Sequence, residues 1–368
     1  MIRIATAKVT AISVPTRAPV RMAGVTVNSA DNLVVCLTDT DGRDGWGEAA
    51  SAPTMTGDLP EGMAAAGRFL GSRVEGVELA GIEEIPGLLS HPLYGNYGAK
   101  AAFEMALLDL LAQSQGVPLF ELLGGRKRDS ATVLTMIAGG DKATEIANAK
   151  AAAEAGFLAF KVKAGIGTPA ADLARCRAIR DALGGEVQIS ADANQGYDRA
   201  AALEFAKGAQ AAGLDFMEQL VAGEDLAGMA ACAGASPVPL GADEGIHGIS
   251  DITAHHQIKA ASGGSLKAIK LGGLLPVMQA GQLMEQLGMS VNLAGKVAET
   301  SIASAAIAHL AVALPRLDWG TSVTNQYLAD DVTDTPIEIC AGHVKPPEGA
   351  GLGLKPDLAK LEKYRMDC

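Results

Sequence analysis

Residues 158–163 read LAFKVK, and similar runs follow at nearly equal steps: VQISAD at 187–192, LDFME at 214–218, VPLGAD at 238–243 and SLK at 265–267. Each run is short and largely apolar, and each ends on a charged residue. The alanine-rich stretches between the runs have helical periodicity, so strands and helices alternate along the middle of the chain. This alternation predicts a parallel sheet with crossover helices, the repeating unit of a closed eight-stranded barrel.

The strand ends carry the charged residues of this region. In such a barrel the C-terminal ends of all strands meet on one face, where active sites form. We therefore expect five residues that are far apart in sequence to converge in one pocket: Lys163, Asp192, Glu218, Asp243 and Lys267.

The remaining barrel strands follow from the same pattern. A first strand is predicted at Thr132–Ile137, a seventh near Met289–Leu293 and an eighth near Leu317–Gly320. The repeat stops after Asn325. Residues 126–325 are thus predicted to form the barrel, with a boundary at the charged run 126–129.

The first 125 residues read as an α+β module. Its helical part includes a predicted amphipathic helix at 97–113, and residues 17–30 and 50–61, rich in Pro, Gly, Ser and Thr, are predicted to be loops. Residues 326–368 are predicted to pack back on this module. The strands predicted within the first 125 residues are Ile2–Pro15, Asn32–Thr38 and Gly45–Glu48.

Composition excludes several classes of protein. The 368 residues are 48% hydrophobic and 20% charged, which is typical of a globular chain of about two domains. The net charge of −12, without a Lys/Arg cluster, argues against nucleic acid as a partner, and no stretch is long and apolar enough to span a membrane. The five scattered cysteines indicate reduced thiols in a cytoplasmic protein.

Three carboxylates at successive strand ends indicate a metal site. Asp192, Glu218 and Asp243 come without Cys or His, and an oxygen-only set favours Mg²⁺, with Mn²⁺ as the alternative, over zinc. A single acidic residue at a strand end more often caps a helix or pairs with a lysine. Three in succession, bracketed by lysines at the same level, favour the metal.

The lysines indicate proton transfer. Lys161 and Lys163 alternate on one strand and therefore point to the same side, into the barrel, where adjacent cations are expected to lower each other's pKa. Lys267 comes from the sixth strand, nearly across the barrel from the second. Two bases on opposite sides of a metal-bound carboxylate could remove its α-proton to form an enolate, which Mg²⁺ would stabilise.

The chain resembles the enolase superfamily, specifically its muconate lactonizing enzyme subgroup, over essentially its whole length. The helix around 101–110, followed by Leu122-Leu123-Gly124-Gly125, fits the same family. The matching motifs are Lys161-Val162-Lys163, Asp192-Ala193-Asn194, Glu218-Gln219, Asp243-Glu244, Lys267-Ala268-Ile269-Lys270-Leu271-Gly272-Gly273 and Gly45-Trp46-Gly47-Glu48.

The resemblance implies a modified (β/α)₇β barrel with an N-terminal capping domain, and a homo-oligomer, as is common in the family. It also implies an acid/base pair of Lys163 and Lys267, with Lys161 supporting Lys163. The segments 17–30 and 50–61 would close over the substrate. The implied Mg²⁺ ligands are Asp192, Glu218 and Asp243, and the implied supporting or substrate-binding residues are Asn194, Glu244 and Glu299.

The favoured function is dehydration of cis-3-hydroxy-L-proline, because the loops and chain ends are similar to those of enzymes that act on proline derivatives. A racemase or epimerase of a proline betaine or N-acyl amino acid is the close alternative, and a muconate-type cycloisomerase is a further one. Ser322 stands near where muconate cycloisomerases carry a glutamate, which weighs against the last. A Schiff-base enzyme using Lys267 leaves the carboxylates unexplained, and a non-catalytic binding protein leaves the inward lysines unexplained.

Overall fold

The N-terminal part of the chain folds as a four-stranded antiparallel sheet with helices packed against it. The structure is a computed structural model, and it describes residues 1–22, 25–138 and 141–367. The sheet order is β3-β2-β1-β4. The strands are β1 (Ile2–Met22), β2 (Val25–Asp39), β3 (Asp44–Ala50) and β4 (Glu78–Leu79), and the helices are α1 (Pro60–Val74), α2 (Ile85–Ser90), α3 (Tyr97–Gln115) and α4 (Leu119–Leu122).

The first two strands form a long antiparallel ribbon, so the predicted loop over 17–30 is wrong. Val20 pairs with Val27, and the pairing continues to Met22 and Val25. β-Branched valines favour extended pairing, and here they outweigh the turn-forming composition of the segment. Residues 23 and 24 of the predicted loop lie outside the described residues.

Helix α3 is buried on all sides rather than amphipathic. Every residue from Gly98 to Ala112 is buried, including the charged Lys100, Glu104 and Asp109. The helix contacts β2 and β3 on one side and segments of the barrel on the other. A helix between two layers has no solvent-facing stripe, which explains why it carries its charges into the interior.

The barrel is a sheet of eight parallel strands in which each strand pairs with the next along the chain, as predicted. A parallel bridge between Val133 and Thr321 joins its first and last strands. Short strand β5 (Ala131–Thr132) precedes the barrel. The strands are β6 (Leu134–Ile137), β7 (Ala159–Lys163), β8 (Gln188–Asp192), β9 (Phe216–Glu218), β10 (Leu240–Ala242), β11 (Gly263–Leu266), β12 (Ser290–Ala294) and β13 (Thr321–Ser322).

Helices alternate with these strands on the outside of the barrel. Asp141, Thr168 and Asp198 begin three of them as N-caps, with side-chain oxygens that accept hydrogen bonds from the first-turn amides. The barrel helices are α5 (Lys142–Glu154), α6 (Pro169–Leu183), α7 (Arg199–Gly208), α8 (Leu226–Ala235), α9 (Ile249–Gln257), α10 (Ala268–Leu271), α11 (Leu274–Gln286) and α12 (Ser301–Ala313).

The eighth strand lies just after its predicted place, at Thr321–Ser322 instead of 317–320. Trp319, which precedes it, turns into the barrel and stacks on Phe216 with ring centroids 4.2 Å apart. Leu134 and Ala159, the first residues of β6 and β7, complete this small cluster. The four side chains close the N-terminal end of the barrel, because they all lie at the starts of its strands.

The C-terminal segment returns to both parts of the molecule. A hairpin of β14 (Ile339–Cys340) and β15 (His343–Val344) pairs with β5, and α13 (Leu358–Lys363) follows. Backbone hydrogen bonds join Ser13 to Tyr364 and Met366 to Ala11. The tail thus contacts the first strand, while the domain bounds, with the boundary near residue 126, stay a prediction.

The cysteines are free thiols at four of their five positions, namely Cys36, Cys176, Cys232 and Cys340. The fifth, Cys368, lies outside the described residues, so its predicted free thiol stays a prediction. Among the described helices, none has both the length and the apolar character that a membrane crossing needs.

Candidate active site

The five charged residues lie together at the C-terminal ends of neighbouring strands. Lys163, Asp192 and Glu218 are the last residues of β7, β8 and β9, and the strand register pairs Asp192 with each of the other two. Asp243 and Lys267 directly follow β10 and β11. Each of the five is at most 7% exposed. Strand spacing along the sequence was therefore enough to predict this convergence.

Each inward lysine of β7 forms an ion pair with a carboxylate. Nζ of Lys161 donates to Oε2 of Glu218 at 2.5 Å. Nζ of Lys163 donates to Oδ2 of Asp192 at 2.6 Å and to Oδ1 of Asn194 at 2.7 Å. Both lysines therefore point into the barrel, where carboxylates balance their charge.

Asp243 has two lysine partners. Lys267 donates to its Oδ2, and Lys270 donates to its Oδ1 at 2.7 Å. Lys270 also donates to the backbone carbonyls of Asp243 and Ser265. Its ammonium group is thus fully satisfied, and it fixes both the backbone and the side chain of Asp243.

Lys161 does not have the lowered pKa that the sequence led us to expect. Burial opposes the charge of Lys161, but the carboxylates of Glu218 and Asp192 outweigh it and raise its pKa. Burial is likewise outweighed at Lys267, where Asp243 raises the pKa well above its usual range. The expectation is therefore wrong for Lys161, because its ammonium group lies against carboxylates rather than only against the neighbouring cation.

The three carboxylates fit a hard cation by their chemistry. Burial raises the pKa of Glu218, Lys161 opposes the rise, and repulsion from Asp192 and Asp243 adds to it. As the side chains stand in the described parts of the chain, no three His, Cys, Asp or Glu are arranged to hold a metal ion, because these carboxylates point to lysines. Mutually repelling, oxygen-only donors are nevertheless the set that a divalent cation neutralises.

Asn194, Glu244 and Gln219 hold the strand ends together. Nδ2 of Asn194 donates to Oε1 of Glu244 at 3.0 Å, and Oε1 of Gln219 accepts from the backbone nitrogens of Asp243 and Gly245. Burial, together with the charge of Asp243, raises the pKa of Glu244 to about 7. Asn194 contacts both Lys163 and Glu244, and the supporting role of Asn194 and Glu244 stays a prediction.

Backbone strain is concentrated at the same strand ends. Asn194, Gln195 and Gln219 have φ of 42°, 67° and 36°. A non-glycine residue in this region is held at a disadvantage of about 1–3 kcal/mol, and such residues cluster at functional sites. Each of the three side chains makes a hydrogen bond that helps to hold its conformation.

A cavity of about 130 Å³ lies over the strand ends. Met136 and Tyr327 add an apolar wall to it. The charged residues that line it include Lys161, Lys163, Lys267, Asp192 and Asp243, whereas Glu218 does not line it. Val25 from the ribbon, and Thr54 and Met55 from the segment after β3, line its other side. Both N-terminal segments that the resemblance placed over the substrate therefore reach the cavity.

Met55 joins the N-terminal cover to the barrel. Its carbonyl oxygen lies 2.8 Å from Nε2 of His247, in the loop after β10. Its sulfur lies 3.8 Å from Nζ of Lys267. The cover is thus in direct contact with one of the two lysines of the predicted acid/base pair.

Lys296 is a cavity residue that the sequence analysis missed, whereas Glu299 was predicted and lies outside the cavity lining. Lys296 lines the cavity two residues beyond β12, so the rule of charged strand ends, applied to the seventh strand, would have found it. Glu299 is buried beside Gly295 rather than on the cavity wall, and burial raises its pKa to about 8. The pair His255–His256 lies on α9, where Nδ1 of His255 bonds the carbonyl of Asp251.

Family models match both parts of the chain. Residues 4–124 match the model described as the N-terminal domain of mandelate racemase and muconate lactonizing enzyme. Residues 145–360 match the model described as Enolase C-terminal domain-like. Together the matches cover most of the sequence.

Curated relatives and solved structures agree with these models. L-Ala-D/L-Glu epimerase of Bacillus subtilis is 32% identical over 96% of each chain, and a chloromuconate cycloisomerase of Cupriavidus necator is 30% identical over 96% of this chain and 97% of its own. The structure of a muconate lactonizing enzyme from Pseudomonas fluorescens, complexed with muconolactone, superposes with a TM-score of 0.94 at 29% identity, covering 99% of this chain and 100% of its own.

Proposed function

Because the chain belongs to the mandelate racemase / muconate lactonizing enzyme family of enolase-superfamily enzymes, we propose that it removes the α-proton of a small carboxylate with Mg²⁺ as cofactor. The observation that carries this proposal is the placement of Lys163 and Lys267. They face one cavity from β7 and β11, the second and sixth of eight strands, and therefore from opposite sides.

Asp192, Glu218 and Asp243 would hold the cation, and Mn²⁺ would use the same oxygen ligands. When bound, Mg²⁺ would supply positive charge both to the three carboxylates that now pair with lysines and to the charge that develops on the substrate carboxylate. Lys161, Lys163 and Lys267, which pair with these acids, would then be available to the substrate.

The two lysines divide the proton transfer. In its neutral form, Nζ of one lysine takes the α-proton, and Nζ of the opposite lysine, as an ammonium group, donates a proton on the other face. Asn194 orients Lys163 through the 2.7 Å hydrogen bond, and Met55 covers Lys267 against water. Lys161, next to Lys163 on the strand face, adds positive charge near the substrate carboxylate.

The finer proposal is a dehydratase of cis-3-hydroxy-L-proline. One lysine takes the α-proton, the C–O bond at the 3-position breaks, and the hydroxyl leaves with a proton from an acid in the cavity as water. The resulting enamine tautomerises to a cyclic imine, so no oxidant is needed. A cavity of about 130 Å³ supports a compact ring substrate of this kind.

A racemase or epimerase is the second candidate. Removal of the proton by one lysine and return by the other inverts the α-carbon without a leaving group, and the relative at 32% identity is an epimerase. Proline betaines and N-acyl amino acids are the substrates to test. A muconate-type cycloisomerase is a further candidate, because several relatives at about 30% identity carry that name.

Proton NMR in D₂O with Mg²⁺ tests the proposal. The wild type and the variants Lys163→Ala and Lys267→Ala are incubated with cis-3-hydroxy-L-proline, proline betaine, N-acyl amino acids and cis,cis-muconate. Loss of the hydroxyproline indicates the dehydratase, deuterium at the α-carbon with appearance of the epimer indicates the epimerase, and lactone formation indicates the cycloisomerase.

Each variant should lose most of the turnover, by about 10²-fold or more, since general acid–base groups contribute factors of this size. Turnover that persists without both lysines, or after removal of metal by EDTA, would contradict the proposal. Borohydride inactivation in the presence of substrate would instead indicate a Schiff base on Lys267.

A further inference from the structure

Lys296 is a cavity lysine that the proposed acid/base mechanism does not use. It lies two residues beyond β12, and its side chain lines the cavity together with Lys161, Lys163 and Lys267. Nζ donates to the carbonyl of Val297 at 2.9 Å. Within the described parts of the chain, no carboxylate oxygen lies within 4.0 Å of this nitrogen.

This arrangement distinguishes Lys296 from the other three cavity lysines. Lys161, Lys163 and Lys267 each pair with a carboxylate. An ammonium group has three donors, of which Lys296 uses one on the backbone carbonyl of Val297. A partly buried cation without a counter-ion is unfavourable, so the remaining donors favour an electron-rich group that enters the cavity.

Glu299, whose charge acts on Lys296, does not form an ion pair with it. Oε2 of Glu299 is buried without a hydrogen-bond partner and lies beside Gly295, where it would clash with a Cβ. Burial, together with the charge of Glu48, raises the pKa of Glu299 to about 8, so its carboxyl is largely uncharged at neutral pH. Burial and the charge of Lys267 lower the pKa of Lys296 to about 8, which leaves it mostly protonated there.

The position of Lys296 indicates which end of a ligand it meets. Asp192, Glu218 and Asp243 belong to the third, fourth and fifth strands, while Lys296 follows the seventh, which lies opposite the third in an eight-stranded barrel. Oγ1 of Thr324 donates to the carbonyl of Lys296 at 2.8 Å and fixes its backbone. A substrate whose reacting carboxylate lies near the acidic residues would therefore extend its other end towards Lys296.

We propose that Lys296 determines substrate specificity by binding an oxygen acceptor, a hydroxyl or a second carboxylate, on the end of the substrate away from the reacting carboxylate. The direction of the substrate rests on the proposed function. The binding itself does not, because it needs only the unpaired ammonium group. A substrate with a cationic group at this end is disfavoured by repulsion.

Isothermal titration calorimetry at pH 7 with Mg²⁺ tests the proposal on matched ligands. Succinate is compared with propionate on wild type, Lys296→Met and Lys296→Arg. cis-3-Hydroxy-L-proline is compared with L-proline on the same three proteins carrying Lys163→Ala as well, so that the proposed substrate binds without being turned over. The wild type should bind at least one acceptor-bearing ligand about 10-fold more tightly than its partner, or about 1.4 kcal/mol. Lys296→Met should abolish that ratio, and Lys296→Arg should keep part of it.

Lys100→Met is the matched control, because Lys100 is a buried lysine of α3 outside the cavity. It should leave the ratio unchanged. If Lys296→Met loses the affinity ratio only for the proline pair, the group that Lys296 binds is a hydroxyl. If it loses the ratio only for succinate and propionate, that group is a second carboxylate. Circular dichroism verifies folding, and Lys296→Gln replaces Lys296→Met if the latter does not fold.

Two outcomes overturn the proposal: a wild type that prefers neither acceptor-bearing ligand, or a ratio that Lys296→Met and Lys296→Gln leave intact. Failure of the proposed function is seen separately, as absence of α-proton exchange and turnover in D₂O with wild type. The two failures are independent, because the calorimetry measures binding alone.

Discussion

At the scale of single residues, Lys270 carries more of the site's geometry than its place outside the cavity suggests. Its side chain is fully buried and contacts Asp243 at both the carboxylate and the backbone carbonyl. Ser265, whose carbonyl also accepts from Lys270, donates its hydroxyl to Glu218 at 2.9 Å. One ammonium group therefore helps to fix two neighbouring carboxylates.

Lys270→Met should destabilise the protein by about 3–5 kcal/mol, the usual loss when one partner of a buried ion pair is removed. The carboxylate and carbonyl of Asp243 would lose a donor, although Lys267 remains on the other oxygen. Urea denaturation measures the change. Lys142→Met, at an exposed lysine of α5, should change stability by less than about 0.5 kcal/mol. A similar small loss for Lys270→Met would contradict this view of the residue.

Mg²⁺ should raise the thermal unfolding midpoint if Asp192, Glu218 and Asp243 bind it. At a concentration 100 times the dissociation constant, the stabilisation is about 2.7 kcal/mol. Asp192→Asn should remove most of the shift, because it removes one anionic ligand. Asp181→Asn, at an exposed acid of α6, should retain it. Equal shifts in both variants, measured by differential scanning calorimetry, would rule out these ligands.

The sequence predicted the placement of the charged residues but not their pairing. Strand ends can be located from apolar runs, so Lys163, Asp192 and Glu218 were predicted to lie together. Which lysine meets which carboxylate depends on side-chain rotamers across the barrel, and the raised pKa of Lys161 and Lys267 follows from that pairing. Such contacts have no signal in the spacing of residues.

At the scale of elements, buried acids of the N-terminal part cap helices of the barrel. Glu104 of α3 accepts hydrogen bonds from the backbone nitrogens of Leu274 and Leu275, at the start of α11. Glu48 of β3 accepts from the nitrogens of Thr300 and Ala303, each at 2.9 Å, at the start of α12. Both acids satisfy amides that have no partner within their own helix.

Glu104→Ala should cost about 2–3 kcal/mol, because it leaves buried first-turn amides of α11 without an acceptor. Glu104→Gln keeps one oxygen and should cost less than about 1 kcal/mol near pH 6, where burial keeps Glu104 protonated, with a pKa raised to about 8. Urea unfolding distinguishes the two variants. Glu61→Ala, in the exposed first turn of α1, is the control, and equal losses in all three would argue against the cap.

The pH dependence of stability should report the same residue. Folded Glu104 keeps its proton up to a pKa of about 8, whereas the unfolded side chain releases it near about 4.3. The folded state therefore binds more protons between these values, and raising the pH favours unfolding. Wild-type stability relative to Glu104→Gln should fall as pH rises from 5 to 8, by at most about 1.4 kcal/mol per pH unit.

Above pH 8 the difference between wild type and Glu104→Gln should become constant, because folded and unfolded Glu104 are then both ionised. Urea unfolding at unit steps from pH 5 to 9 provides the curve. A difference that does not change with pH would mean that Glu104 is ionised throughout this range.

Elements were predicted well where burial is one-sided or periodic, and poorly where it is not. The barrel strands alternate with helices and were found within a few residues. The far end of the ribbon of β1 and β2 was missed because composition alone indicated a loop at 17–30, while pairing such as Val20 with Val27 decides the structure. The burial of α3 on all sides required knowledge of the layer that covers its second face.

At the scale of the whole molecule, the N-terminal sheet and the barrel share one hydrophobic core. A single cluster of buried side chains runs from Ile2 and Leu33 in the sheet to Val162 and Leu310 in the barrel. The caps at Glu48 and Glu104 cross the same boundary. The two family models divide the sequence into two parts, but these parts do not have separate hydrophobic cores.

We expect both parts to unfold in a single cooperative transition, because neither can lose its structure without exposing the shared core. Near-UV circular dichroism, which follows tertiary packing around Trp46 and Trp319, should coincide with far-UV circular dichroism during urea unfolding. The variant Trp46→Phe separates the signal of the sheet from that of the barrel. Two resolved midpoints would show that the parts unfold independently.

The stack of Trp319 on Phe216 determines by which end of the barrel substrate and product can enter and leave. With Ala159 and with Leu134, which also lines the cavity, it fills the end of the barrel at the starts of the strands, so this end offers no exit. Substrate and product therefore use the same side of the cavity, which Val25 and Met55 line. The product has to leave before the next substrate can bind. The site therefore binds one molecule at a time, and bound product competes directly with incoming substrate.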